Sequence, residues 1–311
     1  MISTAAVMAR PEPAPHTPLS TFIPLAIELC DLKRVRDASS PDSLAARMFR
    51  TAWGALRTGQ PFHHVAAIAT ANAIAAVRLG GIDAAILIQA GLSHLEAVEV
   101  LRRSFDEVAT PVAPSLQATL RRELGHDLSP GQAPAFAESL IRQPRAGATC
   151  PGKPRIVLEP PENHGDHCFV VAVLAYALAP RYAADPATAF LAGMAHHLHN
   201  AALPDSGFAG EILLGDHLTP IIARLFAREL ATLPAPLRTD TETALAHIPD
   251  ASTPIGQAFH AADVIDRVLQ MRHFDQVAAF TVDQALDDMD LVHAGPTQAF
   301  HHAVLLEAAL P

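Results

Sequence analysis

The sequence predicts an all-α protein, and three observations lead to that prediction. Apolar residues recur at steps of three and four through most of the chain, as they do on the buried face of a helix. The strict apolar–polar alternation of a half-buried strand is not convincing in any segment. Capping residues, glycines and prolines bracket the periodic segments, which is typical of helix starts and stops.

The composition is that of a folded chain with a core of its own. Half of the 311 residues are apolar and only 17% are charged, a balance that excludes general disorder. The formal net charge is −10, and the basic residues are 20 arginines and two lysines, Lys33 and Lys153. An acidic chain without a basic stripe argues against a nucleic-acid coat and against an anionic membrane as partner.

Proline-rich stretches predict the domain organisation. Residues 1–20 contain four prolines and are expected to form a flexible tail. Residues 143–163 contain five prolines and are expected to form a linker, with one short extended piece at Arg155–Glu159. This division leaves an N-terminal helical domain at residues 21–142 and a second helical domain at residues 164–311.

Nine segments of the two halves have helical periodicity. Ser40 or Asp42 is expected to cap the first of them, and Ser93 with Glu96 has the spacing of a capping box. The first segment of the C-terminal half is apolar almost all round and is therefore predicted to be central and buried. The segments are residues 43–59, 64–81, 81–91, 93–109, 168–180, 187–201, 219–233, 255–274 and 298–310.

Histidine is the unusual residue of this chain. Seventeen are present, and twelve of them lie at or after His164. Imidazole is the commonest metal ligand in proteins, and ligands on separate helices are held by rigid backbones. A buried carboxylate in an apolar helix is costly unless it is paired or metal-bound. The candidate metal ligands are His167, His196, His197, His217, His247 and Asp263.

The C-terminal half resembles a known family. The segments ENHGDHCFVVAVLA, AFLAGMAHHLHNAALPDSG and HAADVIDRVLQ resemble the HD superfamily of metal-dependent phosphohydrolases, which is all-α. The resemblance assigns His167 to the family's first His, His196 to the His of its His-Asp doublet, and Asp263 to its distal Asp. His217 and His247 fall where the binuclear branches of the family carry two further His ligands.

Two positions depart from the family pattern. The Asp of the doublet is His197 here, and a neutral imidazole cannot bridge two cations as a carboxylate does. A mononuclear site, a changed metal preference and a loss of catalysis therefore all stay open. The family's phosphate-facing Lys is Asn200 here, so phosphate contacts must come from elsewhere, and Arg267 is one candidate.

The resemblance implies a metal-dependent phosphohydrolase that acts on a phosphomonoester, a nucleotide or a phosphodiester. A divalent ion (Mn, Ni, Zn, Mg or Fe) would lower the pKa of its bound water, and Asp205 or Asp266 would orient or deprotonate that water. Two alternatives stay open at this point. One is a His-rich iron oxygenase of the HD type, and the other is an inactive HD-like sensory or scaffold domain.

The remaining expectations concern location and partners. Three cysteines without C-x-x-C spacing, Cys30, Cys150 and Cys168, fit a reducing cytoplasm. The longest uncharged apolar run, Cys168–Ala179, is too short to cross a bilayer, and the N-terminal residues lack a signal-type apolar stretch. The expected partner is a small phosphorylated substrate, and self-association into a homo-oligomer through the N-terminal half stays open.

Overall fold

A computed structural model describes residues 18–38, 40–275 and 280–311. Within these ranges the chain forms helices joined by turns. The described residues form no β-strand, and their β-type pairing consists of three isolated bridges. The predicted all-α class is therefore confirmed. Most of the predicted tail at residues 1–20 lies outside the described residues, and the first described helix already begins at Leu19.

Seven helices form the N-terminal half. Their limits are α1 Leu19–Asp31, α2 Leu44–Arg57, α3 Phe62–Leu79, α4 Ala84–Gln89, α5 His94–Val108, α6 Pro114–Glu123 and α7 Ala135–Arg142. The predicted capping box of Ser93 and Glu96 is confirmed at the start of α5. The predicted cap of α2 is wrong, because Ser43 accepts the capping hydrogen bond and Asp42 instead binds Arg50 at 2.8 Å.

The proline-rich segment between the two halves folds back on itself. Ala148 and Ile156 form one isolated antiparallel bridge, and Pro144 and Asn163 form another. The extended piece predicted at Arg155–Glu159 is therefore a single bridging residue in a loop rather than a strand. Because the loop closes at Asn163, it delivers the chain directly to the first turn of the next helix.

Seven more helices form the C-terminal half. Their limits are α8 His164–Leu178, α9 Pro186–Ala195, α10 Gly207–Leu214, α11 Leu218–Leu230, α12 Ala235–Leu245, α13 Pro254–Asp275 and α14 Gln298–Glu307. Every residue of α8 is buried, as its apolar sequence predicts. Among the described residues, no helix combines the length and the apolar character needed to cross a membrane.

Helix α8 is the centre of the bundle. It packs against α9 and α13 from its own half and against α2, α3 and α7 from the other half. The buried apolar side chains of both halves belong to one continuous core. The packing thus places N-terminal helices directly beside the helices that carry the candidate ligands, while the domain boundaries at residues 142 and 164 stay predictions.

A glycine sets the spacing between α8 and α9. A Cβ atom on Gly193 would lie 2.5 Å from Cα and 2.7 Å from the backbone nitrogen of Ala172. Such distances are well inside van der Waals contact, so the two helix backbones touch here. This close approach brings the C-terminal end of α9 to the side of α8.

We expect Gly193→Val to destabilise the protein by about 1–3 kcal/mol, because an added side chain must push two packed backbones apart. Urea unfolding followed by circular dichroism measures the change. Gly295→Val is the matched control, since a Cβ at Gly295 meets no atom within 4 Å. Equal stability of the two variants would contradict the contact between α8 and α9.

Candidate metal centre

The candidate ligands come from three helices. His167 is the fourth residue of α8, whose first turn is capped by the side chain of Asn163. His196 is the C-cap residue of α9, and His197 follows where the chain leaves that helix. Asp263 lies near the middle of α13. The contacts of α8 with α9 and α13 therefore decide whether these side chains meet.

Four of the predicted ligands lie together. The Nε2 atom of His167 is 3.1 Å from Nε2 of His196 and 3.3 Å from Oδ1 of Asp263. The ring centre of His197 is 5.2 Å from that of His167 and 4.3 Å from that of His196. One ring nitrogen of each histidine lies within 4.8 Å of the other two. We call His167, His196, His197 and Asp263 the ligand cluster.

A backbone carbonyl fixes the tautomer of His196. Its Nδ1 atom lies 2.7 Å from the carbonyl oxygen of Gly193. A carbonyl only accepts hydrogen bonds, so Nδ1 must carry the hydrogen. In the neutral ring the Nε2 lone pair is then free, and Nε2 is the atom that faces His167.

A buried carboxylate fixes the tautomer of His167 in the same way. Its Nδ1 atom lies 2.7 Å from Oδ2 of Asp266, a residue that is fully buried. Burial by itself would raise the pKa of Asp266, but the ammonium of Lys33 and the contact with His167 outweigh it and hold that pKa below its ordinary range. The ionised Asp266 therefore accepts a hydrogen from Nδ1, and a neutral His167 also presents an Nε2 lone pair.

The third imidazole is oriented by a side-chain amide. Nδ1 of His197 lies 2.8 Å from Oδ1 of Asn200, and the amide nitrogen of Asn200 donates to the carbonyl oxygen of Leu203 at 3.1 Å. The second bond shows which end of the amide is oxygen, so Nδ1 of His197 is the donor. All three rings of the ligand cluster thus keep Nε2 free.

The donor atoms fit a divalent cation. Two Nε2 lone pairs 3.1 Å apart, with a carboxylate oxygen 3.3 Å from one of them, repel one another unless a cation or a proton lies between them. Ligands bound at about 2.0–2.1 Å at tetrahedral or right angles lie about 2.9–3.4 Å from each other. Both measured separations fall in that range. Three imidazoles and one carboxylate are also a common donor set for zinc, manganese, nickel or iron.

The electrostatics keep His196 and His197 neutral, as metal ligation requires. Burial, with a smaller contribution from His167, lowers the pKa of His196 to about 3. Burial, with a smaller contribution from His196, lowers the pKa of His197 well below its ordinary value. Near pH 7 both rings are therefore neutral, and each has a nitrogen lone pair on the side away from the hydrogen bond of its Nδ1.

A buried ionic network lies behind the ligand cluster. The ammonium of Lys33 is 2.5 Å from Oε1 of Glu162 and 2.5 Å from Oδ1 of Asp266. Arg145 holds the other oxygen of Glu162 at 3.0 Å. Glu162, His167 and Asp266 are close enough together to resemble a second metal site. Lys33 already places a cation there, which leaves the ligand cluster as the group that could hold a metal ion.

The ligand cluster borders a cavity of about 280 Å³. Besides Asp263, its wall carries two guanidinium groups and three carboxylates: Arg145, Arg267, Glu162, Asp205 and Glu211. Another part of the wall is apolar, and the ring of Phe208 stacks on that of His293 with centroids 3.8 Å apart. The cavity can therefore hold a molecule with an anionic end near the ligand cluster and a less polar remainder.

The predicted catalytic residues occupy different places. Asp205 lines the cavity, and its two oxygens accept hydrogen bonds from the backbone N–H groups of Gly207 and Ala146 at 2.9 Å. Arg267 lines the cavity as well and lies 3.5 Å from Asp263. Asp266 is fully buried beside His167 and is not among the described residues that line the cavity.

Two of the predicted ligands are placed elsewhere. His217 is exposed in a short turn before α11. His247 is partly exposed in the turn after α12. Neither is among the described residues that line the cavity or that group into a metal-binding cluster, and their role as ligands stays a prediction.

Several residues of the site were missed by sequence reasoning. Lys33 and Glu162 form the ionic network, Asn200 orients His197, and Arg145 lines the cavity. Lys33 carried one signal, because it is one of only two lysines in the chain. Asn200 carried another, because it stands where the HD family has its lysine.

His164 is a further imidazole beside the ligand cluster. It is fully buried, its ring centre is 4.7 Å from that of His197, and its Nε2 is 3.6 Å from Oδ2 of Asp205. Within the described part of the chain, neither of its ring nitrogens has a hydrogen-bond partner. A buried polar group without a partner is costly, so this position fits a ligand or a bound water between the cavity and the cluster.

Comparison with protein-family models, with curated proteins and with solved structures finds no match for this chain. The features of this chain that bear on its function are therefore the geometry of the ligand cluster and the cavity beside it.

We expect the purified protein to bind about one divalent ion per chain, and His196→Ala to reduce its metal content to background, because the site loses one of its four donors. Elemental analysis after dialysis against a metal-buffered solution measures the content. His302→Ala is the control, since His302 is exposed on α14. Equal metal content in both variants would remove His196 from the site.

Proposed function

We propose that this chain is a mononuclear metal-dependent phosphohydrolase of the HD type, acting on a small phosphorylated molecule. The observation that carries the proposal is the ligand cluster, in which Nε2 of His167 lies within 3.3 Å of both Nε2 of His196 and Oδ1 of Asp263. The order of these residues along the chain matches the HD motifs. The adjacent cavity with two arginines supplies a place for an anionic substrate.

The ligand cluster would hold the metal through three neutral imidazoles and one carboxylate. A bound divalent ion supplies a water of lowered pKa and stabilises negative charge on a phosphoryl oxygen. His167 and His196 are kept in the required tautomer by Asp266 and by the carbonyl of Gly193. Because these partners are fixed before substrate arrives, the ligand geometry needs little reorganisation during the reaction.

Arg267 and Arg145 would bind the phosphoryl group. Both line the cavity, and Arg267 lies beside Asp263, which places its charge next to the metal position. Guanidinium groups match phosphate oxygens in shape and charge. They replace the lysine that the HD pattern would put at Asn200, whose amide is engaged with His197 instead.

Asp205 is the better placed of the two candidate bases. Its carboxylate lines the cavity, and two backbone N–H groups hold it in position without neutralising it. In the proposed reaction it accepts the proton of the attacking water. Asp266 has the other role, since its oxygens are taken up by Lys33, Cys30 and His167 and it orients His167.

The histidine at position 197 favours a single metal ion. A bridging ligand must offer two donor atoms, and Nδ1 of His197 is bound to Asn200. The cluster also carries only one carboxylate charge, from Asp263.

All three cysteines are free thiols, which supports a reducing compartment, the cytoplasm, as the location of the reaction.

Turnover of bis-p-nitrophenyl phosphate and p-nitrophenyl phosphate tests the proposal. We expect activity that is lost on chelation, is restored by one of Mn, Ni, Zn, Mg or Fe, and falls by more than about 100-fold in His196→Ala, beyond what loss of an indirect contact causes. His302→Ala should keep full activity.

Two results would overturn the proposal that the chain is a phosphohydrolase. Bound iron with oxygen consumption and no phosphate release would favour the oxygenase alternative. A protein that holds no metal after exposure to each of the five ions, and that hydrolyses neither ester, would favour the inactive scaffold.

We expect Arg267→Met to raise the KM for the phosphoester about tenfold, because a charge-assisted hydrogen bond to phosphate is worth roughly 1.5 kcal/mol. Metal content, measured on the same sample, should stay at the wild-type level. Arg272→Met is the matched control, since Arg272 is exposed further along α13. An unchanged KM in Arg267→Met would remove this arginine from the substrate site.

A further inference from the structure

The side chain of Lys33 brings the N-terminal half into contact with the ionic network behind the ligand cluster. Lys33 follows the end of α1 in a turn, and its side chain is only 2% exposed. It extends into the space between Glu162 and Asp266, which lie on the loop before α8 and on α13. A lysine is rarely buried this completely unless its charge is paired.

The contacts of Asp266 divide between its two oxygens. Oδ1 is held by Lys33 at 2.5 Å and receives the thiol of Cys30 at 3.4 Å, so both donors on this side come from α1 and the turn after it. Oδ2 receives Nδ1 of His167 at 2.7 Å. The carboxylate plane is thereby fixed from one side by the N-terminal segment and turned toward His167 on the other.

The orientation of Asp266 determines what His167 can do. If the carboxylate rotated away from the ring, it would no longer require the hydrogen to be on Nδ1 of His167. The ring would then exchange its hydrogen between Nδ1 and Nε2, and an Nε2–H group cannot bind a metal. The ammonium of Lys33 contacts Asp266 but not the ligand cluster. It therefore acts on the ligand cluster through Asp266.

We propose that Lys33 is a positioning residue of the metal centre: by holding Asp266 it fixes His167 in the form that offers Nε2 to the metal. The proposal rests on the proposed metal-binding function and extends it, since it makes the N-terminal segment part of the site. A C-terminal half without residues 19–33 would contain all four ligands but would lack this constraint.

A single substitution of Lys33 is not a sufficient test. It would leave Glu162 and Asp266 facing Arg145 as the one remaining cation of the network, and an unpaired buried charge can unfold the chain. The double variant Lys33→Met/Glu162→Gln removes one positive and one negative charge together. Glu162→Gln alone is its reference, because it keeps Lys33 against Asp266.

Two measurements separate positioning from folding. Long-range proton–nitrogen NMR of the metal-free proteins at about pH 8, above the ordinary pKa of histidine, reports which nitrogen of His167 carries the hydrogen. Competition with a chelator gives the affinity for Zn²⁺. Lys153→Met is the surface control, since Lys153, the other lysine of the chain, is exposed.

In Glu162→Gln we expect the Nδ1–H form of His167. In the double variant we expect a mixture of tautomers and Zn²⁺ affinity lower by about 10- to 100-fold, the usual effect of losing a partner that orients a ligand. The same tautomer with an affinity within about threefold of the reference would overturn the role of Lys33. Loss of the helical signal in the double variant, but not in Glu162→Gln, would also overturn it, because Lys33 would then be a structural residue.

The outcome for the proposed function is separate. If the wild-type protein binds no Zn²⁺ and hydrolyses no phosphoester, the metal-dependent hydrolase fails whatever Lys33 does. The tautomer measured in the metal-free proteins still decides the proposal for Lys33. If the wild-type protein binds metal but the tautomer of His167 is unchanged in the double variant, the metal-binding function stands and the role of Lys33 fails.

Discussion

The hydrogen bond between Asp266 and His167 follows from the energetic cost of burying a charged group. A carboxylate that is removed from water must be compensated by a cation and by hydrogen bonds, or it raises the free energy of the folded state by several kcal/mol. Asp266 meets that requirement with Lys33 on one oxygen and His167 on the other. The same pairing that makes Asp266 tolerable in the core also sets the hydrogen of His167 on Nδ1. Stability and ligand geometry are therefore consequences of one contact.

The three imidazoles reach the same state by different means. His167 is held by a carboxylate, His196 by a backbone carbonyl and His197 by a side-chain amide. Each partner only accepts from the ring, so each ring keeps Nε2 free. At position 197, where the proposed resemblance to the HD pattern would put a carboxylate, the chain has a neutral imidazole. Asn200 accepts a hydrogen bond from that imidazole and orients it.

The cavity beside the ligand cluster combines charge with apolar surface. Arg145 and Arg267 place two positive charges near Asp263, while the stacked rings of Phe208 and His293 form a less polar wall. A phosphomonoester carries nearly two negative charges near neutral pH and a phosphodiester carries one, and guanidinium groups compensate such charges through charge-assisted hydrogen bonds. In an acidic protein with a formal net charge of −10, these two guanidinium groups are the positive charges that the described cavity wall offers to an anionic substrate.

The sequence by itself determined the all-α class, the central buried helix α8 and the approximate limits of the helices that carry the ligand cluster, because periodicity and capping are local properties. It also selected His167, His196 and Asp263 as a set. Only the tertiary structure decided that these residues meet, that His217 and His247 lie elsewhere, and that Asp266 is buried behind His167 rather than exposed in the cavity. The reason is that a histidine can bind a metal only through the ring nitrogen that carries no hydrogen, and the partners of the ring decide which nitrogen that is. For His167 that is set by a partner 99 residues away, which is held in turn by Lys33 from the other end of the chain.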